Sequence, residues 1–167
     1  MTLIKNISGF RGTVEGPPKE NLTPFDVVTS VSAFCKFLKE KHGDKELIVT
    51  TGRDGRATGE NFHTIVNRTI SLMGINAIDA GLSTTPTLCW GILNNDSIGG
   101  IMITASHNPE EYNGLKFFNE DGEFLSREDM NKVIEYSNST DFELHPSEET
   151  ELVIKILELV EASLIFP

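Results

Sequence analysis

The feature that most constrains the fold is an alternation. Short apolar stretches end in loops of glycine, hydroxyl and charged residues, and the segments between them carry helical periodicity. Leu47–Thr51, Ile75–Ala80 and Ser97–Thr104 have the length of strands and the continuous apolar character of strands covered on both faces. Asn21–Glu40 reads as a helix with Val27, Val28, Val31, Phe34, Cys35 and Leu38 along one side. Thr23 suits its N-cap, Pro24 its first position, Asp26 its first turn and Gly43 its stop. A second helix ends near Met73 with Phe62, Ile65, Val66, Thr69 and Met73 as its buried face, and Gly74 closes it. Thr85-Pro86 opens a third, through Leu93, as N-cap and first-turn proline. Ser126, with Asp129 three residues on, caps a fourth to Tyr136, and Glu149–Leu164 is amphipathic. Residues 2–7 and 12–15 read as short strands around Ser8-Gly9-Phe10-Arg11-Gly12, and Leu115–Phe118 as a strand before a turn at 119–122. Strands separated by helices imply right-handed crossovers. The expected fold is therefore α/β, with a mostly parallel mixed sheet sandwiched between helices.

Length and charge narrow the function. A chain of 167 residues is the size of one domain. With 14 Lys+Arg against 25 Asp+Glu its net charge is −11, which argues against a general nucleic-acid or anionic-membrane binder. Residues 138–161 hold seven acids and one base, a solvated loop and helix face, so the rest is nearly balanced. No apolar run approaches the roughly 18–20 residues of a membrane span. Met1–Ile7 lacks the apolar core of a signal peptide. Cys35 and Cys89 are far apart, against a disulfide framework or a cysteine-based zinc site. These readings favour a cytoplasmic protein. The last residues, Phe166-Pro167, follow an apolar helix end directly, as in a domain cut from a longer chain.

Ligands of open parallel sheets bind beyond the carboxyl ends of the strands. The loops there are Gly52-Arg53-Asp54-Gly55-Arg56, Leu82-Ser83-Thr84-Thr85-Pro86 and Thr104-Ala105-Ser106-His107-Asn108-Pro109, with Gly9-Phe10-Arg11-Gly12 as a possible neighbour. Together they bring Arg11, Arg53, Arg56, His107 and the nearby Lys116 to one edge of an otherwise acidic protein. Arginine forks match phosphate oxygens, and glycines let backbone N–H groups approach an anion. A phosphorylated small molecule is the natural ligand. Singly each signal has a plainer reading. Arg53-Asp54 would make a surface turn with a local ion pair, Arg11 a hairpin tip, and Ser83-Thr84-Thr85-Pro86 a helix cap. His42 and His63 would be solvent-facing or packed, and both cysteines inert. Ser106, among cations at a strand end, suits either a covalent phosphate or a noncovalently bound one.

Gly100-Ile-Met-Ile-Thr-Ala-Ser-His-Asn-Pro-Glu-Glu-Tyr-Asn-Gly-Leu-Lys-Phe-Phe118 closely resembles the active-serine motif of the alpha-D-phosphohexomutases. Ser8–Gly12, Gly52–Gly59 and Gly81–Thr87 resemble three further motifs of that family in the same order. The resemblance covers nearly the whole chain and is to the family's first domain. It implies that Ser106 is a phosphoserine that passes its phosphoryl group to a hexose phosphate, giving a hexose bisphosphate intermediate. Lys116 would assist proton transfer. His107 and Arg11 would orient the phosphoryl group and substrate, with Arg53, Arg56, Asn108 and Asn113 binding phosphate or shaping the loop. Mg2+ would be held through the Ser106 phosphate, with its other ligands in a second domain. No aspartate-rich metal loop of the family type occurs here, and the sugar-selecting loop is also missing. The chain alone is therefore expected to lack mutase turnover. The Ser-Gly-Phe-Arg-Gly-Thr start leans toward phosphoglucosamine mutase. A phosphate-binding or regulatory module, or a phosphohydrolase working through a phosphoserine, would carry the same loops.

Overall fold

The computed structural model describes residues 1–43, 46–139 and 141–142. The helix expected over 149–164 and most of the acidic stretch lie outside these residues. In chain order the elements are β1 (Ile4–Asn6), β2 (Gly9–Thr13), α1 (Pro24–His42), β3 (Ile48–Arg53) and α2 (Gly59–Leu72). They continue with β4 (Asn76–Leu82), α3 (Thr85–Asn94), β5 (Gly99–Ile103), β6 (Tyr112–Asn119) and α4 (Arg127–Tyr136).

The helix starts follow local chemistry. At α1 the Asp26 carboxylate accepts the Thr23 backbone N–H at 3.0 Å and the Lys19 N–H at 2.9 Å, satisfying two donors near the helix start. At α4 the Ser126 hydroxyl accepts the Asp129 N–H at 3.1 Å. At α3 the cap is Thr84, which accepts the Thr87 N–H at 3.3 Å, one residue before the expected Thr85. Either threonine can cap, and the one with extended backbone does so.

The sheet order is β1-β2-β6-β5-β3-β4. Parallel pairing joins β3 to β4 and to β5, while β1–β2, β2–β6 and β5–β6 are antiparallel. The sheet is mixed as expected, but its parallel part is only the β5-β3-β4 half. The segment from β5 to β6 is a hairpin, too short to hold a crossover helix. Alternation along β5 and β6 sorts the core into two layers. Ile101, Ile103, Leu115 and Phe117 pack in the large cluster with residues of α1, α2 and α4. Met102 and Phe118 pack on the other face against Leu88 and Ile92 of α3. Position 100 must be glycine for this second layer: a Cβ there would stand 2.5 Å from Ile92 Cδ1.

Two expectations are corrected. Arg11 is not at a hairpin tip; it lies within β2, paired with Gly114 of β6, and the turn falls at Ile7-Ser8. β4 is not covered on both faces. Most of it is exposed, because it is an edge strand and α3 packs on β3 and β5 instead.

Candidate active site

Beyond the end of β5 the chain turns sharply, and Ser106 takes φ +55°. That is the left-handed region, which costs a non-glycine residue on the order of 1 kcal/mol and marks a position held by its surroundings. The restraint comes from the loop after β3. Arg56 donates from Nη1 to the carbonyls of Pro109 (2.7 Å) and Tyr112 (2.8 Å). From Nη2 it donates to those of Ser106 (3.0 Å) and Asn108 (2.7 Å). Asp54 completes the frame. Its Oδ2 accepts the Thr104 hydroxyl at 2.6 Å, and its Oδ1 the Arg56 backbone N–H at 3.1 Å. The Thr104 oxygen in turn accepts the Ser106 N–H at 2.9 Å.

The exposed Ser106 opens on a cleft of about 110 Å³ lined also by Arg11, His107, Lys116, Thr104 and Ser8. Strand register brings the two cations in: Arg11 is opposite Gly114, and Lys116 is opposite Met102, on the sheet face that carries α3. Arg11 Nη1 donates to Asn108 Oδ1 at 3.2 Å, which ties β2 to the serine loop. The Lys116 ammonium is 5.9 Å from the centroid of the Phe124 ring, itself stacked on Phe118 at 4.8 Å. Larger concavities, of about 360, 430 and 630 Å³, lie elsewhere; the exposed hydroxyl residues Ser139, Thr64 and Ser71 line two of them, but none of these three residues has left-handed backbone.

The structure thus gathers Ser106, His107, Arg11 and Lys116 at one cleft, with Asn108 bonded at its rim. It separates the other three expected site residues from the cleft. Arg56 uses its four terminal N–H groups on loop carbonyls. Arg53 faces Glu60 at 3.4 Å and its own neighbour's carbonyl. Asn113 is fully buried, donating to Thr58 Oγ1 at 3.0 Å and accepting the Gly114 N–H. The local Arg53–Asp54 pair does not form, because Asp54 turns to Thr104 and Arg56. Asp54 and Thr104, which hold the Ser106 loop, carried no role of their own in the sequence. Their only signal was position, each in a strand-end loop. The seat of Gly114 is as tight: a Cβ there would meet the Thr104 carbonyl at 2.6 Å.

Other titratable groups serve the core. Burial pushes the Cys35 thiol up to about 12, and Cys89 also rises for the same reason, so neither is activated. His63 is buried rather than solvent-facing. Its Nε2 lies 2.9 Å from the Thr51 hydroxyl and 3.4 Å from Asp79 Oδ1. Burial lowers its pKa below the ordinary 6.5, more than Asp79 raises it. Among the described residues no group of three His, Cys, Asp or Glu could hold a metal ion. The cleft around Ser106 is lined by Arg11 and Lys116 and by no carboxylate, so these residues do not by themselves fit the Mg2+ expected there. No helix among them is long and apolar enough to cross a membrane.

Fold and site together define an α/β domain that presents a backbone-strained serine to a cleft lined by Arg11, His107 and Lys116. The family described as "Phosphoglucomutase/phosphomannomutase, alpha/beta/alpha domain I" matches residues 3–144, and the chain belongs to it. It is similar to a phosphoglucomutase/phosphomannomutase of Thermococcus kodakarensis, 36% identical over 129 residues, which are 77% of this chain and 28% of the relative. It is also similar to a phosphoglucosamine mutase of Levilactobacillus brevis, 35% identical over 73% of this chain and 27% of the relative. The chain therefore spans a little over a quarter of the length of these curated relatives. A phosphoglucomutase/phosphomannomutase family protein from Burkholderia thailandensis shares the fold, with TM-score 0.67 and 22% identity over 84% of this chain and 31% of that one.

Proposed function

We propose that this chain is the serine-bearing domain of a phosphosugar mutase, an isomerase that interconverts hexose 1- and 6-phosphates through a hexose bisphosphate. One observation carries the reading: an exposed Ser106 held in left-handed backbone at the mouth of a cleft lined by Arg11, His107 and Lys116. In the forward step the bond between phosphorus and Ser106 Oγ breaks and a bond from phosphorus to a sugar hydroxyl oxygen forms. Lys116 assists the transfer of the hydroxyl proton. A proton is returned to Ser106 Oγ. The second half reverses these bonds at the other sugar position, and Ser106 recovers a phosphoryl group. Arg11 and His107 face the charge that spreads over the phosphoryl oxygens in transit. Asn108 orients Arg11. Arg56 and Asn113 shape the loop from behind, and Arg53 supports its flank.

This chain spans a little over a quarter of the length of its curated relatives, so the 167 residues by themselves are expected to bind and present the phosphoryl group without turning over. The test is isomerisation of hexose 1-phosphate by the longer polypeptide that carries this domain. Turnover is expected with wild-type sequence and lost in Ser106→Ala, with phosphate recovered on Ser106 by peptide mapping. Turnover retained in Ser106→Ala would overturn the reading. Release of free phosphate without isomerised sugar would replace it with a phosphohydrolase.

A further inference from the structure

We propose that Asp54, acting through the Thr104 hydroxyl, is a positioning residue for phosphoryl transfer at Ser106. This rests on the reading of Ser106 as the phosphoryl carrier. An ionised carboxylate only accepts hydrogen bonds, so the single Thr104 hydroxyl proton points to Asp54 Oδ2 at 2.6 Å. That leaves a lone pair of the Thr104 oxygen for the Ser106 N–H at 2.9 Å. On the other side of the same residue, Arg56 Nη2 holds the Ser106 carbonyl at 3.0 Å. Both peptide units flanking Ser106 are thus pinned from the loop after β3, one by Arg56 directly and the other by Asp54 through Thr104. With both pinned, the left-handed conformation is set and the side chain is aimed at the cleft.

The polarity of the chain of hydrogen bonds matters. Thr104 has no proton left for a phosphate oxygen, so it acts on the serine backbone and not on the transferred group. Asp54 would repel a phosphoryl dianion, but its charge is met by the Arg56 guanidinium, with Nε 3.4 Å from Oδ2. The pair therefore orders the loop without adding net negative charge next to the phosphorylated side chain. A transfer in line between Oγ and a sugar oxygen depends on that aim, because small misalignments of the reacting atoms cost rate steeply.

The test uses two readouts. In the 167-residue chain labelled with nitrogen-15, amide hydrogen exchange at Ser106 is measured by NMR. In the longer mutase polypeptide, kcat and KM for hexose phosphate are measured. Thr104→Val, which keeps the shape and removes the hydroxyl, is expected to speed Ser106 exchange at least tenfold. It should also lower kcat at least tenfold with KM within about threefold. Asp54→Asn should move both in the same direction, and Thr104→Ser should restore both to within about twofold of wild type. Exchange and kcat at wild-type values in Thr104→Val would overturn the proposal. If Thr104→Val does not fold, loss of kcat in Thr104→Ser equal to that in Asp54→Asn would overturn it too, since the hydroxyl is then not the agent. Failure of the parent reading looks different: wild type and Ser106→Ala would be equally without transfer, while amide exchange still reports whether the pin exists.

Discussion

Arg56 Nη2 donates to the carbonyl of Ser106 at 3.0 Å, across fifty residues of sequence. The cation that sequence reasoning aimed at a phosphate instead holds the backbone of the candidate nucleophile. Arg56→Lys removes the planar fork that reaches four carbonyls at once. Bonds from charged donors are worth about 1.5–3 kcal/mol each but are far from additive. The expected net loss is about 2–3 kcal/mol of stability. Chemical denaturation checks it, and limited proteolysis should find new cleavage between residues 105 and 112.

Strain at Ser106 predicts an opposition between stability and function. Ser106→Gly relieves the left-handed backbone and should stabilise the chain by about 1 kcal/mol. For a domain of this size that raises Tm by roughly 2–4 °C. Calorimetry of the chain reads the gain. The same substitution should abolish labelling by a hexose bisphosphate in the longer polypeptide. A lower Tm for the glycine variant would show that the conformation is unstrained.

Much of this was legible in advance, and the residues show why. The helix starts at Thr23-Pro24 and Ser126 depend on local chemistry, and local chemistry is written in order along the chain. The buried face of α2 follows from periodicity, with Phe62, Ile65, Val66, Thr69 and Met73 all buried as expected, whereas α1, expected to be apolar along one side, is buried on nearly all sides from Phe25 to Leu38. The serine motif placed Ser106, His107 and Lys116 together, and the Ser8–Gly12 motif added Arg11. What was not legible depends on pairing. The antiparallel β5–β6 hairpin, the exposure of β4 and the turn of Asp54 toward Thr104 are set by strand order, and no local signal encodes it. Arginine composition likewise could not tell a guanidinium facing a ligand from one facing carbonyls.

His63 gives a pH dependence with a definite sign. Burial depresses its folded pKa below the unfolded 6.5, so the unfolded chain binds the proton more readily. The contribution is fully present above about 6.5 and is lost as pH falls through the lower folded value. Denaturation midpoints should therefore decline between pH 7 and pH 5. His63→Gln should flatten part of that slope while keeping a polar partner for Thr51. An unchanged slope in the variant would assign the decline to other groups.

Gly114→Ala tests how tightly β6 is seated. The added methyl would sit 2.6 Å from the Thr104 carbonyl, 2.9 Å from that of Phe10 and 3.1 Å from Arg11 Cβ. Two of these are backbone carbonyl oxygens, that of Phe10 in β2 and that of Thr104 just past β5, which cannot swing aside. A loss of about 1–3 kcal/mol is expected from overpacking, with Tm falling accordingly. Heteronuclear NMR should show the shift concentrated at Arg11, Thr104 and Lys116.

The antiparallel pairing of β5 and β6 has an engineering consequence. The candidate nucleophile Ser106 sits in the loop of one contiguous hairpin and the proposed proton carrier Lys116 on its second arm, so residues 99–119 form a transplantable cassette. Grafted into a foreign sheet, that cassette would arrive with both reactive groups in mutual register. It would also arrive without its bracket, and a recipient scaffold must supply a guanidinium and a carboxylate from the adjoining strand before the graft can keep its shape.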